Sequence, residues 1–148
     1  MELSEKTQMY QDAVKRHFDF FKDSSTLEQA RVKSIVIGEN EGYLVPICRV
    51  HVEDEELLSK LTIWRNEHKY VYPSQFTATP ESTKSWMTSR LLDVPDRILF
   101  LVENKFGKTI GHLGFANGLS MVKQNKSYLE IDNVVRGVKS GDQGLMAK

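Results

Sequence analysis

The sequence contains a single cysteine, Cys48, which excludes a disulfide within the chain. Cys48 lies in an apolar run, where a buried, unreactive thiol is the expected state, and such sparse cysteine usage fits a reducing compartment. No apolar run approaches the roughly 20 residues that a membrane-spanning helix needs. The N-terminus also lacks the basic and then apolar layout of a signal peptide. We therefore expect a cytoplasmic protein with no membrane partner.

An excess of charge of either sign is also missing. Twenty Lys and Arg residues balance twenty Asp and Glu residues, which gives a formal net charge of zero and a pI near 6.9. No global field therefore attracts the chain to nucleic acid, and we expect no nucleic-acid partner. His17, His51 and His68 are not spaced with cysteines or carboxylates as metal ligands are, so we predict no metal site.

Apolar residues at helical spacing predict four helical segments in a chain of 148 residues, a length that suits one core. The first is an N-terminal helical arm capped by Ser4, with apolar residues at Met9, Tyr10, Ala13, Val14, Phe18 and Phe21. A helical turn is expected over Leu27–Lys33. A third helix begins at Asp54 and ends near His68, and a fourth is capped by Thr79 and stopped at Asp93–Pro95.

Strands are predicted on both sides of the third and fourth helices. Val32–Ile37 and Tyr43–Val52 read as strands separated by the turn Gly38–Gly42, and Pro46 indicates that the second lies at an edge or opens there. Further along, Ile98–Val102 and Thr109–Phe115 form a hairpin around Phe106-Gly107. A last strand, Tyr128–Val135, runs into a glycine-interrupted loop.

This order of elements resembles the front half of the GNAT family of acyl-CoA-dependent N-acetyltransferases. The segments that carry the resemblance are Leu61–Asn66, Pro95–Val102, Ile110–Gly114, Asn133–Gly137 and Gly144–Met146. It implies an α+β fold with a mixed, mostly antiparallel sheet flanked by helices, preceded by the N-terminal helical arm. The expected organisation is an arm and strand over 1–42 and a partial GNAT-like domain over 43–148, with the C-terminal half of the fold missing.

The resemblance also implies a site for acetyl-CoA as co-substrate. The strand around Asn133, Val134 and Val135 would offer backbone groups to the thioester and the pantetheine arm. Backbone N–H groups across Arg136-Gly137 and the loop after it would hold the pyrophosphate, because glycine permits close approach. The loop residues are Gly141, Asp142, Gln143, Gly144, Leu145 and Met146. The loop departs from the family pattern of Arg/Gln-x-x-Gly-x-Gly/Ala, since Gly141 and Met146 occupy its first and last positions.

The reaction implied is direct attack of an amine on the thioester, with a carboxylate or water as base. Glu130 and Asp132 are the candidate bases, and alternation along the strand leaves the choice open because a bulge there would reset the faces. The acceptor, a small-molecule amine, would contact Arg65, Asn66 and His112. A core role for Trp64 and a structural role for His112 remain open alternatives.

Two other interpretations are kept. The last strand would be an open edge with apolar Val134 and Val135, where a second copy or a partner strand completes the sheet. Alternatively, the chain is a non-catalytic interaction module, whose amphipathic arm from Met9 to Phe21 binds a partner helix while the glycine loop is only a turn.

Overall fold

The computed structural model describes residues 3–68, 77–95, 97–116 and 130–137, and in them the chain folds as a five-stranded antiparallel sheet flanked by helices. The strands lie side by side in chain order, which makes this an α+β fold as predicted. The elements are α1 (Leu3–Lys22), α2 (Leu27–Val32), β1 (Ile35–Ile37), β2 (Gly42–Pro46), α3 (Glu55–Glu67), α4 (Pro80–Met87), β3 (Arg97–Asn104), β4 (Thr109–Ala116) and β5 (Glu130–Arg136).

The N-terminal helix packs against one face of the sheet, which we call the α1 face. Val14 and Phe18 of α1 are buried there against Ile98 and Phe100 of β3. The predicted amphipathic pattern is therefore confirmed, although the helix includes Ser4 and does not begin after it. The apolar stripe of the arm is thus used within the chain itself.

The opposite face, which we call the α3 face, is covered by α2, α3 and α4. Leu57, Leu61 and Trp64 of α3 join Val45, Leu99 and Leu101 of the sheet in the largest core cluster. The predicted cap Thr79 is confirmed, because its side chain accepts the Ser82 N–H at 3.1 Å. Asp54, predicted as an acidic first-turn residue, is instead the cap of α3 and accepts the Leu57 N–H at 3.1 Å. After α4 the chain makes a wider π-helical turn, Thr88–Leu92, before it reaches β3.

The predicted strand Tyr43–Val52 is only half right. β2 ends at Pro46, and Arg49–Glu53 forms a short 3-10 helix. β2 is an inner strand, but its pairing with β1 stops at Leu44, so the missing N–H of Pro46 faces no β1 partner. The sheet therefore opens at the proline, which is one of the two alternatives that its presence indicated.

The hairpin between β3 and β4 is confirmed, with its turn fixed by Asn104. The side-chain oxygen of Asn104 accepts the N–H groups of Phe106 and Lys108, each at 3.0 Å. Gly107 has a φ of 80°, which glycine adopts without strain. The turn places Lys108 beside the end of the sheet that also carries Glu103.

Residues 3–42 make contacts with the rest of the described fold. β1 pairs with β2, and the predicted boundary between 42 and 43 falls inside β2. Lys22 at the end of α1 donates to the carbonyl oxygens of Leu91 and Val94 at 3.0 and 2.8 Å. Within the described ranges, no helix combines the length and the apolar character that crossing a membrane requires.

Candidate functional site

β5 is the edge strand of the described sheet and carries a β-bulge. Gly114 of β4 pairs with Asp132 and His112 pairs with Val135, so two residues of β5, Asn133 and Val134, stand opposite Leu113 alone. A bulge bends its strand and increases the local twist, which leaves backbone groups outside the ladder. Among the described strands, β5 pairs only with β4, so its outer edge faces no other strand.

The chain leaves the sheet at Gly137, which is pressed against the indole of Trp64. A Cβ at this position would lie 1.8 Å from Trp64 Cε2, so glycine is required while the ring stays in place. The Gly137 N–H donates to the Ile110 carbonyl at 2.8 Å and extends the β4–β5 ladder. This N–H, which was predicted to face a pyrophosphate, is therefore already used within the sheet.

Trp64 and His112 form the wall of the α3 face next to β5. Their ring centroids lie 6.4 Å apart with planes inclined by 37°, and both side chains are buried. Val135 is buried in the same cluster as Trp64, whereas Val134 in the bulge is 56% exposed. The predicted core role of Trp64 is confirmed, and His112 lies close to the bulge in register.

Asn66 closes the end of α3. Its side-chain nitrogen donates to the Ala78 carbonyl at 3.0 Å and its oxygen accepts the Ala78 N–H at 2.7 Å. Both ends of the amide thus hold the segment that leads into α4, which gives Asn66 a structural contact in place of a free acceptor-binding group. Arg65, the neighbouring residue, is half-buried.

The remaining predicted site residues fall into two groups. Glu130 and Asp132 lie on β5 opposite Ala116 and Gly114, and Arg136 lies opposite Gly111. The predicted pyrophosphate residues Gly141, Asp142, Gln143, Gly144, Leu145 and Met146 lie outside the described residues. Of all the predicted site residues, the structure brings His112, Val135 and Gly137 together around Trp64.

A second polar site, which the sequence patterns did not indicate, lies at the other end of the α3 face. The side chain of Glu103 on β3 is only 4% exposed, and its Oε1 lies 2.9 Å from Nη1 of Arg31 on α2. Burial raises the pKa of Glu103, while Arg31 and, more weakly, Lys60 oppose this rise. The sequence pattern did not indicate this site, because Glu103 follows an apolar run without any periodicity and its partner Arg31 lies on a helix far away in the sequence.

His51 lines the same region and is 4% exposed. Its Nδ1 accepts the Cys48 N–H at 2.9 Å, so the neutral ring carries its proton on Nε2. Burial lowers the pKa of His51, which keeps the imidazole neutral near pH 7. Burial also raises the pKa of the Cys48 thiol, and this agrees with the inert cysteine that its apolar surroundings predicted.

Among the described residues, no group of three or more His, Cys, Asp or Glu side chains is placed to hold a metal ion. Comparisons of this chain with protein-family models, with curated proteins and with solved structures find no match.

Proposed function

We propose that the chain is an N-acetyltransferase of the acyl-CoA-dependent GNAT type, or part of one. It transfers the acetyl group of acetyl-CoA to a primary amine of a small metabolite or amino sugar. The observation that carries the proposal is the bulge of Asn133 and Val134 on the edge strand β5. An edge strand bent in this way offers unpaired N–H and C=O groups to an extended ligand.

The pantetheine arm of acetyl-CoA suits such an edge because it is extended and carries two amides. In the proposed complex these amides pair with the backbone of β5 near Asn133 and Val135. The glycine-rich segment Gly141–Met146 then supplies N–H groups to the pyrophosphate, as the resemblance implies. Arg136, next to Gly137 at the end of β5, provides a positive charge on this path.

In the proposed reaction the neutral amine nitrogen of the acceptor attacks the thioester carbonyl carbon. A C–N bond forms, the C–S bond breaks, and the leaving thiolate of coenzyme A takes up a proton. Glu130 or Asp132 accepts the proton lost by the amine, directly or through a water molecule. The acceptor binds on the α3 face, with His112 and Arg65 as its contacts and Trp64 as a wall.

Titration of the 15N-labelled chain with acetyl-CoA and with S-acetylpantetheine tests this proposal. Because the pantetheine arm pairs with β5 in the proposed complex, both compounds are expected to shift the resonances of the backbone amides of 133–137. Acetyl-CoA is expected to bind more tightly, since only it carries the pyrophosphate. A folded protein whose β5 amides respond to neither compound would contradict the proposal.

The choice of base is tested with Asp132→Asn and Glu130→Gln in an acetyl-transfer assay against a panel of amino sugars and small amines. Loss of the base lowers kcat by roughly 100-fold or more and leaves acetyl-CoA affinity unchanged. Glu28→Gln on the exposed surface of α2 is the matched control. Equal activity of all three variants would rule out both carboxylates.

Self-association is a second candidate function, favoured by one observation. Val134 is 56% exposed on an edge strand, an arrangement that invites pairing with another chain. Sedimentation of the wild type and of Val134→Lys distinguishes the two: a dimer that the substitution dissociates supports pairing through β5. If the protein is monomeric at all concentrations, the outer edge of β5 is not used for self-association and is available to a small ligand.

A further inference from the structure

A cleft of about 370 Å³ opens on the α3 face, at the end of the sheet marked by the β3–β4 turn. Its lining includes Arg31 of α2, Lys60 of α3 and Lys108 of the turn. Leu27, Val45, Leu57 and Leu101 form the apolar part of its lining, and the last three also belong to the largest core cluster. Its volume falls within the range of small-molecule pockets, and three separate elements direct cations to it.

Two of these cations have no carboxylate within ion-pair distance in the part of the chain that the structure describes. Among the described residues, neither Lys60 nor Lys108 forms an ion pair, whereas Arg31 pairs with Glu103. The Lys60 ammonium donates a long hydrogen bond of 3.4 Å to the Thr109 carbonyl, lies 5.9 Å from the Trp64 ring centroid and acts on Glu103 only through its charge, as far as the described residues show. Both lysines therefore retain the capacity to bind an anion.

Two of the three carboxylate side chains that line the cleft already contact another group of the protein. Glu103 forms an ion pair with Arg31, although its Oε1 accepts no well-oriented hydrogen bond from the described residues, and Asp54 accepts the Leu57 N–H at 3.1 Å as the cap of α3. Glu56 is the third carboxylate of the lining, and it is exposed to solvent. Pairing with Glu103 also fixes the Arg31 guanidinium, whose five N–H groups exceed what one carboxylate oxygen can accept.

His51 adds a neutral donor. Because its Nδ1 is occupied by the Cys48 N–H, the proton of the neutral ring is on Nε2. The cleft is therefore rich in hydrogen-bond donors above an apolar base, and the charge of its buried carboxylate, Glu103, is balanced by Arg31. A ligand that complements it carries a negative, acceptor-rich group on a small apolar body.

We propose that this cleft binds a small organic anion, whose carboxylate or phosphate group contacts Lys60, Lys108 and Arg31 and whose apolar part packs on Val45, Leu57 and Leu101. The site is separate from β5 and does not depend on acetyl transfer. It uses residues that the proposed acetyltransferase chemistry leaves without a role.

The test is an amide NMR titration of the full chain with sodium succinate and with sodium phosphate at constant ionic strength. We expect saturable shifts at Gly107, Lys108, Thr109 and Lys60 with at least one of the two anions. The anion that gives saturable shifts shows whether the site prefers a carboxylate or a phosphate group. Methylammonium chloride, a cation of small size, is expected to cause no saturable shift.

Lys60→Met and Lys108→Met are each expected to weaken binding roughly tenfold, because each removes one hydrogen bond to a charged group. Lys15→Met, on the exposed side of α1, removes the same charge elsewhere and serves as the matched control. Lys60→Arg retains the charge and is expected to restore binding. Because Lys108 is exposed on a turn, its variant folds even if replacement of Lys60 disturbs α3.

Three results would overturn the proposal: no saturable shift with either anion, an equal response to methylammonium, or equal weakening by Lys15→Met and the two cleft variants. These outcomes are independent of the acetyl-CoA titration, which reports on residues 133–137. Failure of the anion site therefore leaves the proposed acetyl transfer standing, and the reverse also holds.

Discussion

The two faces of the sheet differ in what they bury. The α1 face is closed mainly by apolar and aromatic side chains, among them Phe18 and Phe100, and α1 also buries the uncharged amide of Gln11. The α3 face also has an apolar core, but it buries the carboxylate of Glu103 and the imidazoles of His51 and His112. Buried ionisable groups lower stability unless they are paired, and their concentration on the α3 face is the reason why we place both proposed sites there. The α1 face acts as the scaffold.

The largest effect is expected from Phe100→Ala, which opens a cavity on the α1 face. Phe100 is 3% exposed and its ring makes edge contacts with Phe21 and Phe115, at 5.4 and 6.1 Å between centroids. Such a truncation costs about 3–5 kcal/mol of unfolding free energy, which urea denaturation measures. Phe106→Ala, at a position 81% exposed, is the control and should change stability by less than about 0.5 kcal/mol. Similar losses in both variants would contradict the scaffold role.

Gly137→Ala tests the contact between the end of β5 and the α3 face. The new methyl group overlaps the Trp64 ring, and overpacking of this kind costs about 1–3 kcal/mol. The double variant with Trp64→Leu should recover part of that loss, because the smaller side chain makes room. Additive losses in the double-mutant cycle would show that Gly137 and Trp64 are not in contact.

The pH dependence of stability should distinguish the two faces through His51. Its pKa in the folded protein is lowered from the usual 6.5, so between the two values the unfolded chain binds more protons than the native protein. Stability therefore falls as the pH decreases below about 6.5 towards the lowered pKa. Urea midpoints at pH 7.5 and 5.5 measure this loss, and His51→Gln should reduce it. A His51→Gln variant that keeps the full wild-type pH dependence would contradict the assignment.

The smallest effect concerns the hydroxyl pair that joins α3 and α4 on the α3 face. The Thr62 and Thr83 hydroxyl oxygens lie 2.6 Å apart and both residues are buried. Either single change to Val leaves one hydroxyl without this partner and costs about 1 kcal/mol, whereas the double change is closer to neutral. Thermal denaturation of the three variants measures this pattern. Equal, additive losses would indicate that the pair is not coupled.

Local signals predicted much of this fold. The starts of α3 and α4 follow from Asp54 and from Thr79-Pro80, because a cap residue and a first-position proline act within one helical turn. The apolar run after Tyr43 predicted a strand that continues past Cys48, and this was wrong. The His51 side chain accepts the Cys48 backbone N–H, which a longer strand would have used for pairing. An apolar run alone does not distinguish a strand from a buried short helix.

The polar sites depend on contacts that no local pattern encodes. Arg31 and Glu103 lie far apart in the sequence, and only the packing of α2 on the sheet brings them together. The bulge on β5 was anticipated as something that would reset the faces, but its position follows from pairing with β4. The resemblance implies Asn66 as an acceptor contact beside Arg65, whereas its amide binds the Ala78 backbone.

The most direct test of the central claim is the acetyl-CoA titration observed through the backbone amides of β5. The account predicts saturable shifts at residues 133–137, with the opposite edge strand β1 unaffected. A folded monomer in which β5 does not respond, or in which β1 and β5 respond alike, would contradict the proposed coenzyme edge.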